Sequence, residues 1–116
     1  MTIRVLVADD QAMIRGALAG LLDLEHDIEV VAQAADGAQA LEELARLASA
    51  DAPARASAPV DVAIVDIEMP RMDGITATQA IRARFPGVHV LIVTTFGRPG
   101  YLQRALDAGA TGFMVK

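Results

Sequence analysis

Short apolar runs and helical repeats of apolar residues alternate along this chain. The runs have the length and β-branched content of buried strands, and the repeats return leucine or isoleucine to one helix face. The predicted strands cover residues 3–8, 28–34, 60–66, 88–94 and 112–116. The predicted helices cover residues 11–25, the segment after Asp36-Gly37, residues 74–85 and residues 100–108. This order predicts an α/β fold with a doubly wound, five-stranded parallel sheet.

Some helical residues are predicted to face the core, and two stretches depart from the alternation. The expected inward residues are Leu41, Leu44 and Leu47 in the second helix and Ile75 and Ile81 in the third. Residues 49–59 contain two prolines and no apolar period, which predicts an extended, mobile surface loop. The last predicted strand has no helix after it, whereas parallel sheets are covered on both faces. We therefore expect a final helix outside these 116 residues.

Composition narrows the class of protein. A chain of 116 residues, 53% of them hydrophobic, is enough for one domain with a core and too short for two. The formal net charge of -5 and the lack of a Lys/Arg stripe argue against nucleic-acid binding by this chain. Without cysteine there is no disulfide, thiol catalysis or cysteine-bound zinc. With no signal-peptide pattern and no apolar run of membrane-spanning length, we expect a cytoplasmic protein that does not bind membranes.

Three aspartates stand at the ends of two predicted strands. Asp9 and Asp10 follow the first strand, and Asp66 ends the third. The carboxyl ends of parallel strands share one edge of the sheet, where open α/β sheets bind ligands. Three carboxylates at that edge repel one another unless a cation joins them, and all-oxygen ligands suit Mg²⁺. The sequence therefore predicts a magnesium site.

A hydroxyl and an ammonium group are predicted at the same edge. Thr94 ends the fourth strand and Lys116 ends the fifth. A carboxylate that attacks a phosphoryl group needs a metal, a cation and a hydroxyl to meet the phosphoryl charge. The carboxylates sum to about -3, and Mg²⁺ with Lys116 returns about +3, so the site can accept a phosphoryl group.

These residues resemble a known family. Asp9-Asp10, the run 66–74 (Asp-Ile-Glu-Met-Pro-Arg-Met-Asp-Gly), Thr94, and the run 109–113 followed by Lys116 look like the receiver domain of bacterial two-component response regulators. The match extends over the whole chain, so residues 1–116 are expected to form one receiver domain that lacks its last helix. The resemblance implies a flavodoxin-like fold with strand order 2-1-3-4-5, a phosphorylated aspartate and Mg²⁺ as cofactor.

The resemblance also implies roles for individual residues. Asp66 would be the phosphoacceptor. Asp10 and Asp66 would bind Mg²⁺ directly, Asp9 mainly through water, and the backbone carbonyl of Glu68 would complete the protein ligands.

Three further roles follow from the same resemblance. Thr94 would donate a hydrogen bond to the phosphoryl group, and Lys116 would pair with it. Phe113 falls where the family has a switch aromatic, although an aromatic residue in that strand is also an ordinary core residue.

The expected function is a regulatory switch rather than an enzyme, with self-catalysed phosphorylation and dephosphorylation. A sensor histidine kinase would phosphorylate Asp66, and the surface of the fourth helix and fifth strand would change and regulate an output such as transcription. Residues 94–101 resemble the NarL/FixJ subgroup, which implies a helix-turn-helix output domain that this chain does not contain. A homodimer on phosphorylation is expected, through either that surface or Leu18, Leu22 and Leu24 of the first helix.

Other interpretations stay open from the residues alone. A receiver-like interaction module that is never phosphorylated would retain the fold without the chemistry. A phosphatase of the haloacid dehalogenase type also uses an aspartyl phosphate and places a second acid two residues later, where Glu68 stands. Asp9 and Asp10 could serve simply to cap the first helix, and Asp73 is best explained as the N-cap of the third.

Overall fold

The computed structural model describes residues 2–50, 58–94 and 99–115, and the structural statements below concern these residues. The strands are β1 (Ile3–Ala8), β2 (Ile28–Ala34), β3 (Val62–Val65), β4 (His89–Thr94) and β5 (Gly112–Val115). The helices are α1 (Ala12–Asp23), α2 (Gly37–Ala50), α3 (Gly74–Arg84) and α4 (Tyr101–Asp107). Strands and helices alternate as the apolar pattern predicts.

The strands form one parallel sheet in the order β2-β1-β3-β4-β5. The chain leaves β1 toward β2 on one side and returns to β3 on the other, so the strand order reverses between β1 and β3. Ligands bind open α/β sheets at such a reversal, outside the carboxyl ends of the strands. The predicted flavodoxin-like architecture is confirmed.

The helices differ in how many of their apolar side chains are buried in the core. The predicted inward residues Leu41, Leu44 and Leu47 of α2 are buried, and so are Ile75 and Ile81 of α3. These side chains join the strand interiors in one core cluster. By contrast, α1 buries Ala19 alone, and Leu21, which belongs to its helical repeat, is 64% exposed. Helix α1 therefore leaves apolar surface open among the described residues.

The pairing of β1 with β2 changes register once. Val5 pairs with Val30, whereas the next residue, Leu6, pairs with Ala32. Val31 is therefore an extra residue in β2 at this point. An extra residue on one strand bends that strand and leaves the ladder locally irregular.

Two predicted boundaries around the third strand are wrong. Helix α2 continues to Ala50 instead of giving way to a loop at residue 49, because the first helix-breaking proline comes only at Pro53. The loop prediction for residues 51–57 lies outside the described residues. Strand β3 begins at Val62 rather than residue 60. Asp61, just before it, is bonded to both neighbouring strands: its N–H donates to the Arg4 carbonyl at 2.8 Å and its carbonyl accepts the His89 N–H at 3.1 Å, while its carboxylate accepts the Arg4 N–H at 2.8 Å.

The predicted cap of the first helix is also wrong. Gln11, not Asp9 or Asp10, is the N-cap of α1, and the Gln11 side chain makes no capping hydrogen bond. The backbone N–H of Gln11 instead donates to the Asp9 carboxylate at 2.9 Å, which turns the chain from β1 into the helix. The N-cap role of Asp73 is confirmed, since its carboxylate accepts the Thr76 N–H at 2.8 Å. No helix in the described part of the chain is long and apolar enough to cross a membrane.

Candidate functional site

Backbone hydrogen bonds place the aspartates at the sheet edge. The N–H of Asp66 donates to the carbonyl of Ala8 at 3.0 Å, and the N–H of Asp9 donates to that of Ala34 at 3.0 Å. The ladder therefore continues one residue beyond the ends of β1 and β3. It holds Asp9 and Asp66 side by side at the reversal of strand order.

Asp9, Asp10 and Asp66 form one acidic cluster, as predicted. A carboxylate oxygen from each lies within 4.8 Å of the others. Asp9 is 2% exposed and Asp66 is 8% exposed, whereas Asp10 lies on the surface. Solvent therefore screens the inner two charges poorly. Carboxylates at this spacing repel one another, so a divalent cation with a preference for oxygen ligands fits the cluster.

Local hydrogen bonds orient the inner carboxylates. Asp9 accepts the Gln11 N–H, and one oxygen of Asp66 accepts the N–H of Ile67 at 2.9 Å. The guanidinium of Arg15 on α1 donates to the Asp9 carbonyl at 2.7 Å, which fixes the backbone of that residue. The cluster is therefore held in position by the backbone of two loops and the first helix.

The segment after Asp66 packs against the start of α3. A Cβ on Gly74 would lie 2.1 Å from the carbonyl oxygen of Asp66, so only glycine allows this approach. The N–H of Gly74 donates to the carbonyl of Ile67 at 2.8 Å. Helix α3 thus begins directly against the backbone of Asp66. The side chain of Glu68, in the intervening loop, is exposed and accepts the Tyr101 hydroxyl at 3.2 Å.

The remaining predicted site residues lie on β4 and β5. Thr94 is the last residue of β4 and is 2% exposed. Because Val65 pairs with Ile92, Thr94 reaches one step further toward the same edge than Asp66 does. Phe113, on β5, pairs with Ile92 on β4 and is half-buried against the core. Lys116, the predicted ammonium, lies outside the described residues.

Two features near the site escape sequence reasoning. Arg71, in the loop between β3 and α3, donates from Nε to Oδ2 of Asp36 at 2.8 Å and forms an ion pair with it. The two residues are 35 positions apart, so no spacing rule links them. The only sequence feature that points to this contact is the predicted turn at Asp36-Gly37, and the turn does not identify Arg71 as the partner. The Tyr101–Glu68 hydrogen bond is likewise long-range.

The Asp36 carboxyl has a shifted pKa. Its pKa is lowered chiefly because the Gln39 N–H donates to the carboxylate at 2.8 Å. Burial acts in the opposite direction, and the Arg71 guanidinium adds to the lowering of the pKa. Asp36 is therefore charged at neutral pH and available to Arg71.

With this geometry, comparison with known proteins identifies the family. Residues 5–116 match the family model described as the response regulator receiver domain. The chain belongs to this family, which makes it a regulatory domain.

The most similar relatives include two regulators from Bacillus subtilis (strain 168). The uncharacterized transcriptional regulatory protein YvfU is 41% identical over 114 residues, which are 98% of this chain and 52% of YvfU. The transcriptional regulatory protein DesR is 39% identical over 114 residues, which are 98% of this chain and 51% of DesR. The chain thus spans about half the length of these relatives.

Solved structures share the fold. The signal receiver domain of a response regulator named NarL from Mycobacterium tuberculosis has a TM-score of 0.83 and 34% identity, covering 98% of this chain and 83% of that one. This neighbour agrees with the predicted NarL/FixJ subgroup. A chain of the CheX-CheY-BeF3-Mg+2 complex from Borrelia burgdorferi has a TM-score of 0.83 and 26% identity, and the match covers 98% of this chain and 78% of that one.

Proposed function

We propose that Asp66 accepts a phosphoryl group in a Mg²⁺-dependent reaction and that this charge switches the surface of α4 and β5. The observation that carries the proposal is the acidic cluster, whose three carboxylate oxygens lie within 4.8 Å at the switch point of the sheet. The Mg²⁺ and beryllium trifluoride named in the Borrelia complex support the same chemistry in a similar fold.

The chain's own residues divide the work of the transfer. A carboxylate oxygen of Asp66 forms a bond to phosphorus while the phosphorus–nitrogen bond of a phosphohistidine breaks, and the departing imidazole takes up a proton. Asp9, Asp10 and Asp66, with the backbone carbonyl of Glu68, would hold the metal. When bound, Mg²⁺ neutralises charge on the carboxylates and the phosphoryl oxygens. Because these groups lie within one domain, self-catalysed phosphorylation from a small donor follows.

The switch would act through β4 and β5. Thr94 lies one step beyond Asp66 at the same edge, where its hydroxyl can donate to a phosphoryl oxygen, and Lys116 would pair with that group. A phosphoryl group adds about -1.5 to -2 of charge. Movement of Thr94 would leave room for the half-buried Phe113, which pairs with Ile92 two residues before Thr94, to turn inward. The nearby surface carries Leu102, Leu106 and Met114, all about half exposed.

The whole protein's partners follow from the class of its relatives. The donor would be a sensor histidine kinase, and the output would be transcription, carried out by a DNA-binding domain beyond residues 1–116. The receiver would form a homodimer on phosphorylation. Exposed apolar residues on α1, namely Leu21 at 64% and Leu24 at 80%, offer one surface for it. A protein of this kind would work in the cytoplasm.

Labelling of the chain by acetyl phosphate tests the proposal. With Mg²⁺ present, we expect the wild-type protein to gain one phosphoryl group and the Asp66→Asn variant to gain none, measured by intact-protein mass. Asp73→Asn is the matched control, because asparagine still caps α3 and Asp73 lies outside the acidic cluster. Labelling of Asp66→Asn at the wild-type level, or labelling that persists with excess chelator, would refute the proposed function.

A further inference from the structure

The loop between β3 and α3 is folded tightly on itself. The N–H of Met69 donates to the carbonyl of Ile67 at 3.1 Å, and that of Met72 donates to Pro70 at 2.7 Å. With the start of α3 also bonded to Ile67, the loop closes within a few residues. Glu68, whose carbonyl is the proposed metal ligand, lies inside this closed loop.

Arg71 has an unusual backbone in this loop. Its φ is 64°, and it is the single non-glycine residue with positive φ in the described part of the chain. A residue with a Cβ rarely adopts this left-handed conformation and keeps it only when its surroundings determine it. The conformation at Arg71 therefore requires an anchor outside the loop.

Asp36 is that anchor. Its side chain is buried, and the Gln39 N–H holds one carboxylate oxygen while Arg71 binds the other through Nε and Nη2. The backbones are joined as well, because the N–H of Gly37 donates to the carbonyl of Met72 at 3.1 Å. A Cβ on Gly37 would lie 2.6 Å from that carbonyl oxygen. The turn before α2 and the loop before α3 are thus fastened side by side.

We propose that Arg71 is a positioning residue for the metal site, which it serves by pairing with Asp36. The pair fixes the middle of a loop whose earlier part carries the Glu68 carbonyl. Without it, the loop samples other conformations and presents that carbonyl less often, so Mg²⁺ binds more weakly and phosphorylation slows at a given Mg²⁺ concentration. This inference rests on the proposed function.

The position of the guanidinium separates this role from a general effect on folding. The Arg71 side chain is 67% exposed. Asp36 is buried, but because water reaches the guanidinium, the pair is partly screened and contributes less to global stability than a fully buried pair would. A change in Mg²⁺ affinity without a matching change in melting temperature therefore reports on loop position.

The test uses Arg71→Gly and Asp36→Asn. Glycine adopts positive φ without a steric penalty, so Arg71→Gly keeps the native backbone conformation accessible while it removes the whole side chain with its guanidinium, and Asp36→Asn breaks the same ion pair without changing the backbone of the loop. Asparagine keeps an acceptor for Gln39 and removes the charge. We expect each variant to raise the Kd for Mg²⁺, measured by calorimetry, about threefold to tenfold. The double variant should be no weaker than the weaker single variant, because both remove the same contact.

Arg46→Ala is the matched control, since Arg46 pairs with Glu43 on α2 away from the site. It should leave the Kd unchanged. A Kd for Arg71→Gly within twofold of wild type, or effects of the two substitutions that simply add, would overturn the positioning role while leaving the proposed function intact. Failure of the wild-type chain to bind Mg²⁺ or to be labelled would overturn both.

Discussion

The segment from Asp66 to Gly74 and the edge formed by α4 and β5 are built in opposite ways. The first is fixed by short backbone hydrogen bonds, an ion pair and a glycine pressed against a carbonyl. The second is a seven-residue helix and a four-residue strand with exposed leucine, methionine and valine. Regions with few buried contacts open at low free energy, whereas densely bonded ones do not. The proposed chemistry therefore takes place on a rigid support, and the proposed signal surface lies where movement is expected to cost the least free energy.

The largest test of this contrast is Gly74→Ala. Its new Cβ would meet the Asp66 backbone oxygen, which cannot move without disturbing the sheet edge, so we expect a loss of about 3 kcal/mol or more in free energy of unfolding. Urea denaturation measures the loss. Gly20→Ala in α1 is the control, because nothing lies within 4 Å of its Cβ position, and a gain of about 0.5–1 kcal/mol is expected. Equal effects of the two substitutions would contradict the close approach.

A second test compares leucines on the two sides of the contrast. Leu44 of α2 is fully buried, and Leu44→Ala should lower the free energy of unfolding by about 2–5 kcal/mol. Leu102 of α4 is 54% exposed, and Leu102→Ala should change it by less than about 0.5 kcal/mol. Thermal or urea unfolding decides. A comparable loss for Leu102→Ala would show that α4 is packed as firmly as the support.

The smallest expected effect is on the stability of the protein at acidic pH, through Asp36. The pKa of Asp36 is lowered by Gln39 and Arg71, so its contribution to stability is complete above the ordinary carboxyl value of 3.8 and disappears as the pH falls through the lower folded value. Wild-type protein should therefore lose more stability than Asp36→Asn when unfolding is followed from pH 5 down to about pH 2.5. If the free energy of unfolding falls with pH equally in the two proteins, the Asp36 carboxylate does not contribute to the acid sensitivity of the wild-type protein.

Much of the candidate site could be predicted from sequence because its residues lie at the ends of strands. The apolar runs before Asp9 and Asp66 mark parallel strands, and parallel strands bring their carboxyl ends together whatever the intervening length. The same reasoning places Thr94 at that edge. The order of the strands came from resemblance to the family, since apolar period alone does not say which strands are neighbours.

The rest depended on contacts that no local pattern records. The Arg71–Asp36 pair joins two loops whose meeting is set by how α2 and α3 pack. The left-handed backbone at Arg71 is a position where glycine would be the ordinary choice, so the residue type gave no warning. The predicted cap of α1 was wrong because the helix begins after Gln11, and the Asp9 carboxylate accepts the N–H of Gln11 itself, ahead of the first turn.

The extra residue at Val31 changes which side of the sheet the second half of β2 faces. Before it, Val30 shares a side of the sheet with Val5, and after it Ala32 and Ala34 share the opposite side with Leu6 and Ala8. One alternating strand thus contributes to both layers of the molecule in turn. If Val31 paired regularly with Leu6, Ala32 and Ala34 would turn to the side of the sheet that Val30 faces, so the extra residue is what keeps both alanines on the side of Leu6 and Ala8.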